Sequence, residues 1–257
     1  MTVLRHTWFM IGRQTRNLLR EPIWIAIMLV QPMVWLILYG QLFKNVTRLG
    51  GFGTTSYVTF LTPAIVVMNA FFGASWSGMN MVFDIERKFV ERFLATPASR
   101  LALVLSQIIR SALQAGLQGL IILLVALALG VRIHTGVLGW LAILVVAMVV
   151  NSAFAGFSQG VALLVRREST VIALANFLSL PLLFLSSTLL APRQMPHWMR
   201  TLANVNPVNW GVRAARAVVL PGTDWADVGV HLGYLVALSA ATVAFASYAF
   251  RVYQRSL

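Results

Sequence analysis

Six apolar runs divide this chain, separated by short polar or charged segments. They cover about residues 23–43, 56–83, 97–129, 137–165, 170–190 and 228–250. A bilayer core takes roughly 20 apolar residues per helix, so each run predicts a transmembrane helix. The pattern therefore predicts an all-α polytopic membrane protein with six spans. Gln31-Pro32 lies inside the first run and predicts a kink. The second run is long enough to tilt. Ala70, Ala74 and Gly78 in the second run repeat every four residues, a small-residue face for close helix packing. Ser152, Gly156 and Gly160 make such a face in the fourth run, and Gly233, Ala237 and Ala241 in the sixth. Asn176 and Pro181 interrupt the fifth.

The segments between the runs carry more information than the runs themselves. Before the first, Trp8, Ile11, Leu18 and Leu19 mix with Arg5, Arg13, Arg16 and Arg20, which predicts an amphipathic interfacial helix within residues 1–22. Between the second and third runs lies a charged island, DIERKFVERFLATPASR, residues 84–100. Ile85, Phe89 and Phe93, with Val90 and Leu94, recur at helical spacing. Asp84, Glu86, Arg87, Lys88, Glu91 and Arg92 occupy the remaining positions, and Arg87 and Glu91 are placed to pair. The helix stops near Ala95, where Thr96 and Pro97 open the next one. Residues 84–95 thus read either as a short helix on the membrane face, able to dock into a partner, or as a solvated loop. In the third run, Gln107, Arg110, Gln114 and Gln118 form one polar stripe that faces protein or water rather than lipid. It suits a substrate path, a dimer interface or hydrogen-bonded packing between helices.

Residues 191–226 contain Pro192, Pro196, Pro207 and Pro221 along with Trp198, Trp210 and Trp225. The stretch is too broken to span and too apolar for a free loop. Two short helices re-entering the outer leaflet satisfy both facts. The chain reads as one permease domain over residues 1–257. Residues 1–22 form the interfacial helix, 23–190 hold spans one to five, 191–226 form the re-entrant hairpin, and 227–257 hold span six and the tail.

Charge sets the orientation. Only 11% of the residues are charged and 59% are hydrophobic, against about 25% charged in soluble domains. The formal net charge of +13 would suggest nucleic acid in a soluble protein. Here the basic residues flank apolar runs, so lipid head groups and topology account for them, and no nucleic-acid partner is expected. Arg5, Arg13, Arg16, Arg20, Arg87, Lys88, Arg92, Arg100, Arg166, Arg167, Arg251 and Arg255 fall on one side of a six-span arrangement. The short loops opposite hold Lys44, Arg48 and Arg132. Arg193, Arg200, Arg213 and Arg216 in the hairpin run against the bias. The balance puts both termini in the cytoplasm. The chain has no cysteine, which excludes disulfides and thiolate metal sites. No cleavable signal is expected.

Some chemistry is missing. No G-x-x-x-x-G-K-S/T loop is present to cradle nucleotide phosphates. No carboxylate lies deep within a predicted span, which disfavours a self-driven proton or sodium carrier. No internal inverted repeat is evident. His197, Asp224, Asp227 and His231 are the most enzyme-like group, and solvated interface residues explain them as well.

Three stretches together resemble the permease subunits of type-2 ATP-binding-cassette exporters, particularly the drug-resistance branch. The first is Arg20-Glu21-Pro22 leading to Gln31-Pro32. The second is ERKFVERFLATPASR, similar to the family's E-R-…-E-R-x-x-x-T/A-P-x-S-R loop. Phe89-Val90 stands there in place of the Gly-Thr of many members. The third is Pro181 through Ser186, then Pro196-His197-Trp198, Asn206-Pro207 and Arg213. The likeness covers nearly the whole chain, and it lies in the order and spacing of these motifs. It implies a dimeric six-span permease, paired with a second copy or a sibling and with two ATPase subunits, in a bacterial-type cytoplasmic membrane. It implies that Asp84, Glu86, Arg87, Lys88, Phe89, Glu91, Arg92 and Phe93 couple to the ATPase, and that the hairpin closes an outer gate through Pro196, Trp198, Asn206, Pro207, Trp210 and Arg213. No cofactor, metal or catalytic residue is implied for this chain. ATP and Mg²⁺ belong to the partner, and drugs, lipids or lipid-linked molecules are the implied cargo. Two other readings stand beside it: a self-sufficient channel or scaffold, and an intramembrane enzyme built on the outer His/Asp group.

Overall fold

The computed structural model describes residues 22–88, 100–220 and 222–255. The interfacial helix expected before Pro22 lies outside them. So do Phe89, Glu91, Arg92 and Phe93 of the island, its stop near Ala95 with Thr96 and Pro97, and Pro221 of the hairpin.

All regular structure among the described residues is helical. Helix α1, Pro22–Val34, contains Pro32. Proline supplies no N–H to the helical ladder. Directly after it the chain widens into a π-helical turn, Trp35–Tyr39, before a last α-turn, Gly40–Leu42. The second run is two helices, α2 (Tyr57–Ser75) and α3 (Ser77–Glu86), parted at Trp76. There follow α4 (Arg100–Ala128), α5 (Gly136–Val165), α6 (Glu168–Phe184), α7 (His197–Val205), α8 (Pro207–Ala217) and α9 (Trp225–Gln254).

Among the described residues, four stretches are long and apolar enough to cross a membrane: Tyr57–Glu86, Leu103–Ala128, Gly136–Val165 and Trp225–Gln254. Leu29–Leu42 and Glu168–Phe184 are shorter apolar helices. The fifth run thus stays helical only to Phe184, not to the expected 190. Pro181 sits in the last turn of α6, and Ser186, Ser187 and Thr188 beyond it are buried in irregular backbone.

Helix α5 is the hub, packed by α2, α4, α8 and α9. Small residues set these contacts. A Cβ on Gly78 would lie 2.5 Å from the Ser158 carbonyl oxygen, and one on Gly156 would lie 2.9 Å from Thr242 Oγ1. A Cβ on Gly160 would collide with the Phe245 ring. The small face of α9 behaves differently. Nothing lies within 4 Å of a Cβ on Gly233, and Ala237 and Ala241 are exposed, so this face turns away from the other described helices.

The break at Trp76 is held from α5. The Ser158 hydroxyl donates to the Ser75 carbonyl at 2.7 Å and accepts from the Gly78 N–H at 3.1 Å. Gln159 Nε2 donates to Ser77 Oγ at 2.9 Å. In a membrane, backbone groups freed by a helix break need protein partners, and α5 supplies them.

Candidate functional site

The C-terminal end of the second apolar run leads into the island. Asp84, Ile85 and Glu86 are the last turn of α3, so they end the span and do not begin a separate helix. Arg87 caps α3, its N–H bonded to the Phe83 carbonyl. Lys88 takes a left-handed conformation, φ 55°, a common way for a helix to stop. Glu86, Arg87 and Lys88 are exposed. Asp84 is tied inward: Gln107 Nε2 donates to its Oδ2 at 2.6 Å. The start of the island is therefore joined to α4 at the first residue of the polar stripe.

The other end of the stripe also meets the second span. Asn69 Nδ2 donates to Gln118 Oε1 at 3.0 Å, and Gln118 is buried. Arg110 and Gln114 between them are half-buried. Gln107 and Gln118 thus bond across helices, whereas the stripe as a substrate path remains an expectation. If the Asn69–Gln118 bond is packing, Gln118→Leu leaves the half-buried Asn69 amide without that partner and destabilises by ~1–2 kcal/mol. The Asn69→Leu/Gln118→Leu double variant removes both partners and should recover most of that loss. Thermal unfolding of the three detergent-solubilised forms measures this. A changed cargo preference with unchanged stability in Gln118→Leu would instead place Gln118 on the path.

Residues 191–226 contain the two short helices expected, α7 and α8. Pro196 precedes α7 at its N-cap. Asn206 joins the pair and works three ways. Its Oδ1 accepts from the Val208 N–H at 2.9 Å, capping α8, with Pro207 at the first helical position. Its Nδ2 donates to the carbonyls of Leu182 at 2.6 Å and Leu185 at 2.9 Å, which the end of α6 leaves without helical partners. Trp210 donates its indole N–H to the Asn204 carbonyl at 2.7 Å and packs near Tyr234. Trp198 is exposed. Arg213 reaches Asp227 at 3.4 Å, half exposed on both sides.

That contact draws in the enzyme-like group. Asp227 also lies 3.3 Å from His231 Nδ1, and His231 Nδ1 lies 2.8 Å from the Asp227 carbonyl. Asp224 caps α9 by accepting from the N–H groups of Ala226 and Asp227. These side chains order the start of α9. Among the described residues no group of three or more His, Asp or Glu gathers closely enough to hold a metal.

The residue that binds α2, α8 and the end of α6 together was not singled out in the sequence. Arg216 is buried on α8. Its Nε donates to the Phe60 carbonyl, Nη1 to Ser187 Oγ and Nη2 to the Thr188 carbonyl, each at 3.3 Å. Its guanidinium lies 3.6 Å from the centre of the Phe60 ring. Asn209, two turns earlier on the same face, accepts from both the N–H and the hydroxyl of Ser187. Phe52, tucked in from the Gly-rich loop, packs edge-on against Phe60 at 4.9 Å. Tyr57 donates to the Leu189 carbonyl at 2.9 Å. Spacing gives the one signal available: Asn209, Val212 and Arg216 share the buried face of α8.

Comparison with known proteins adds to this geometry. A family model described as ABC-2 type transporter matches residues 5–220. A protein of Porphyra purpurea named as transport permease ycf38 is 31% identical over 211 residues, 80% of this chain and 70% of its own length. The daunorubicin resistance ABC transporter permease protein DrrB1 of Streptomyces coeruleorubidus is 24% identical over 254 residues, 98% of this chain and 85% of its own. Nodulation protein J of Rhizobium leguminosarum bv. trifolii is 29% identical over 211 residues, 80% of this chain and 78% of its own.

Proposed function

Because this chain belongs to the ABC-2 type transporter family, we propose that it is the transmembrane permease of an ATP-driven exporter, powered by a separate ATPase. The supporting observation at the site is the inner end of the second span. Its helix runs unbroken from Ser77 to an exposed charged stub, Glu86-Arg87-Lys88, and Asp84 links that stub to α4 through Gln107. A push on the island therefore reaches two membrane helices at once. Asp84, Glu86, Arg87, Lys88, Phe89, Glu91, Arg92 and Phe93 are the proposed contacts with the ATPase.

The proposed chain crosses a bacterial-type cytoplasmic membrane six times, with both termini inside and the shorter apolar helices as first and fifth spans. Residues 1–22 lie along the inner interface. Helices α7 and α8 re-enter the outer leaflet and close the outer gate through Pro196, Trp198, Asn206, Pro207, Trp210 and Arg213. Two permeases, identical or sibling, pair with two ATPase subunits, which hold the ATP and Mg²⁺. The cargo is amphipathic: a drug, a lipid or a lipid-linked molecule. A relative named for daunorubicin resistance supports including drugs.

Purification from native membranes tests this reading. The chain should bring down a Walker-motif ATPase in one-to-one ratio, and amphipathic cargo should stimulate its hydrolysis. Recovery of the chain alone, together with ion leak in vesicles, would replace the exporter with a channel or scaffold.

A further inference from the structure

Beside α5 lies a crevice of about 190 Å³. Its floor is Ala153, Phe157 and Val161 of α5, and its walls are α6 and the part of α9 that carries Leu238 and Thr242. Helix α6 and helix α9 each pack on α5 and barely touch one another. The gap between them leaves Phe157 on the floor 36% exposed, so the crevice is open on that side, which faces lipid if these helices span the membrane as proposed above.

Its chemistry suits hydrocarbon. Four hydroxyls line it, and three of them face backbone carbonyls: Ser75 to Phe71 at 3.2 Å, Ser158 to Ser75 at 2.7 Å and Thr242 to Ser239 at 3.0 Å. Its extent along α6 runs from Val171 to Leu182. At 1.5 Å per residue that is about 16 Å, the thickness of one leaflet's hydrocarbon. Its inner end is basic. Arg167 is exposed at the α5–α6 turn, four residues before Val171, so it stands about 6 Å beyond the apolar lining. Glu168 follows it at the start of α6, where the helix N-terminus suits a carboxylate. Arg166 lies over the Tyr253 ring, 4.8 Å from its centre.

We propose that this crevice is a binding site for an anionic phospholipid, with one acyl chain laid along α5 and the phosphate at Arg167. Its placement in the inner leaflet rests on the orientation proposed above. The length of the crevice fits one chain, its lining is chiefly hydrocarbon, and the cation at the mouth selects an anionic head group.

The test uses the full chain with its ATPase, reconstituted in vesicles of equal phosphatidylglycerol and phosphatidylethanolamine, then extracted gently and weighed by native mass spectrometry. The wild-type chain should retain one phospholipid, with phosphatidylglycerol enriched about fivefold by a single juxtamembrane arginine. Arg167→Gln should keep the lipid and lose the enrichment. Ala175→Trp, which fills the crevice, should lose the lipid. A second measurement on the wild-type protein guards against misfolding of that variant. Phosphatidylglycerol with a photoactivatable acyl chain should label residues 153–161 and 171–182, and unlabelled phosphatidylglycerol should compete the label away. No retained lipid, retention without head-group preference, retention undiminished in a folded Ala175→Trp chain, or labelling that does not compete would each overturn the site. A chain that holds the lipid and captures no ATPase keeps the site and discards the exporter; capture without lipid does the reverse.

Discussion

A chain carrying Arg87→Glu and Glu91→Arg is expected to insert, dimerise and bind cargo, yet to export nothing. Arg87 is exposed at the cap of α3, and the exchange leaves the net charge at +13. Surface substitutions of this kind change stability by about 0.5 kcal/mol or less. An interface is less forgiving, since like charges brought together there cost several kcal/mol. At about 1.4 kcal/mol per tenfold, even 3 kcal/mol weakens ATPase capture more than a hundredfold. The double variant should therefore purify as a monodisperse permease without its ATPase, and vesicles holding both should show neither cargo-stimulated hydrolysis nor transport. Reversing the facing charges on the ATPase should restore both. Normal capture and transport in the double variant would reduce the island to a solvated loop and remove the basis for the coupling contacts.

The island also marks where sequence pattern stops being enough. Apolar spacing of Ile85, Phe89 and Phe93 suggested one helix beginning at Asp84. The second-span helix instead continues through Glu86, and Lys88 turns left-handed. Periodicity cannot separate the end of one helix from the start of another when both share an apolar face. The helical membrane character was plain, because runs of such length have few other uses. The parting at Trp76 was not. Nothing in the local stretch GASWSGM excludes an α-helix. The break persists because Ser158, some 80 residues away, accepts and donates at the freed groups. The small faces of the second and fourth runs were legible and do make close contacts, since only glycine fits beside Ser158 or Thr242. The same pattern in the sixth run faces outward, because a stripe records close approach without saying to what. In the hairpin, Asn206-Pro207 entered only as a motif of the resemblance, although an Asn before a Pro is also a helix-start signal. What it did not spell is that the same Asn206 amide closes the end of α6. Between Arg213 and Arg216, three apart on α8, composition offers no choice. Only the shared face with Asn209 and Val212 marks Arg216 as the inward one.

Arg216 therefore carries the largest expected effect on stability, and the order of two substitutions reveals its role. Among the described residues no carboxylate forms a salt bridge with it. Its charge is balanced by the Phe60 and Thr188 carbonyls, the Ser187 hydroxyl and the Phe60 ring. Arg216→Met keeps most of the volume, removes the cost of burying a charge, and loses the cation–π contact and three hydrogen bonds. The Phe60 carbonyl is inside α2 and keeps its helical role, so the stranded group is chiefly that of Thr188. A buried cation over a ring is worth ~2 kcal/mol, and an unsatisfied buried carbonyl costs ~1–3 kcal/mol, so the net loss should be about 2–4 kcal/mol after relief of desolvation. That is a large share of a typical folding free energy of about 5–15 kcal/mol. Arg216→Lys keeps the charge and gives up the planar fork. One ammonium cannot reach acceptors on α2 and on residues 187–188 together and still cover the ring. The lysine form should thus be at least as unstable as the methionine form, because its cation stays buried with fewer partners. Thermal unfolding and gel filtration in detergent give the ranking. If lysine restores stability and export while methionine does not, positive charge itself is what this end of the bundle requires, and Arg216 is an electrostatic element there. If both fail and lysine fails harder, Arg216 is the clasp that holds α2, α8 and the end of α6 in one piece.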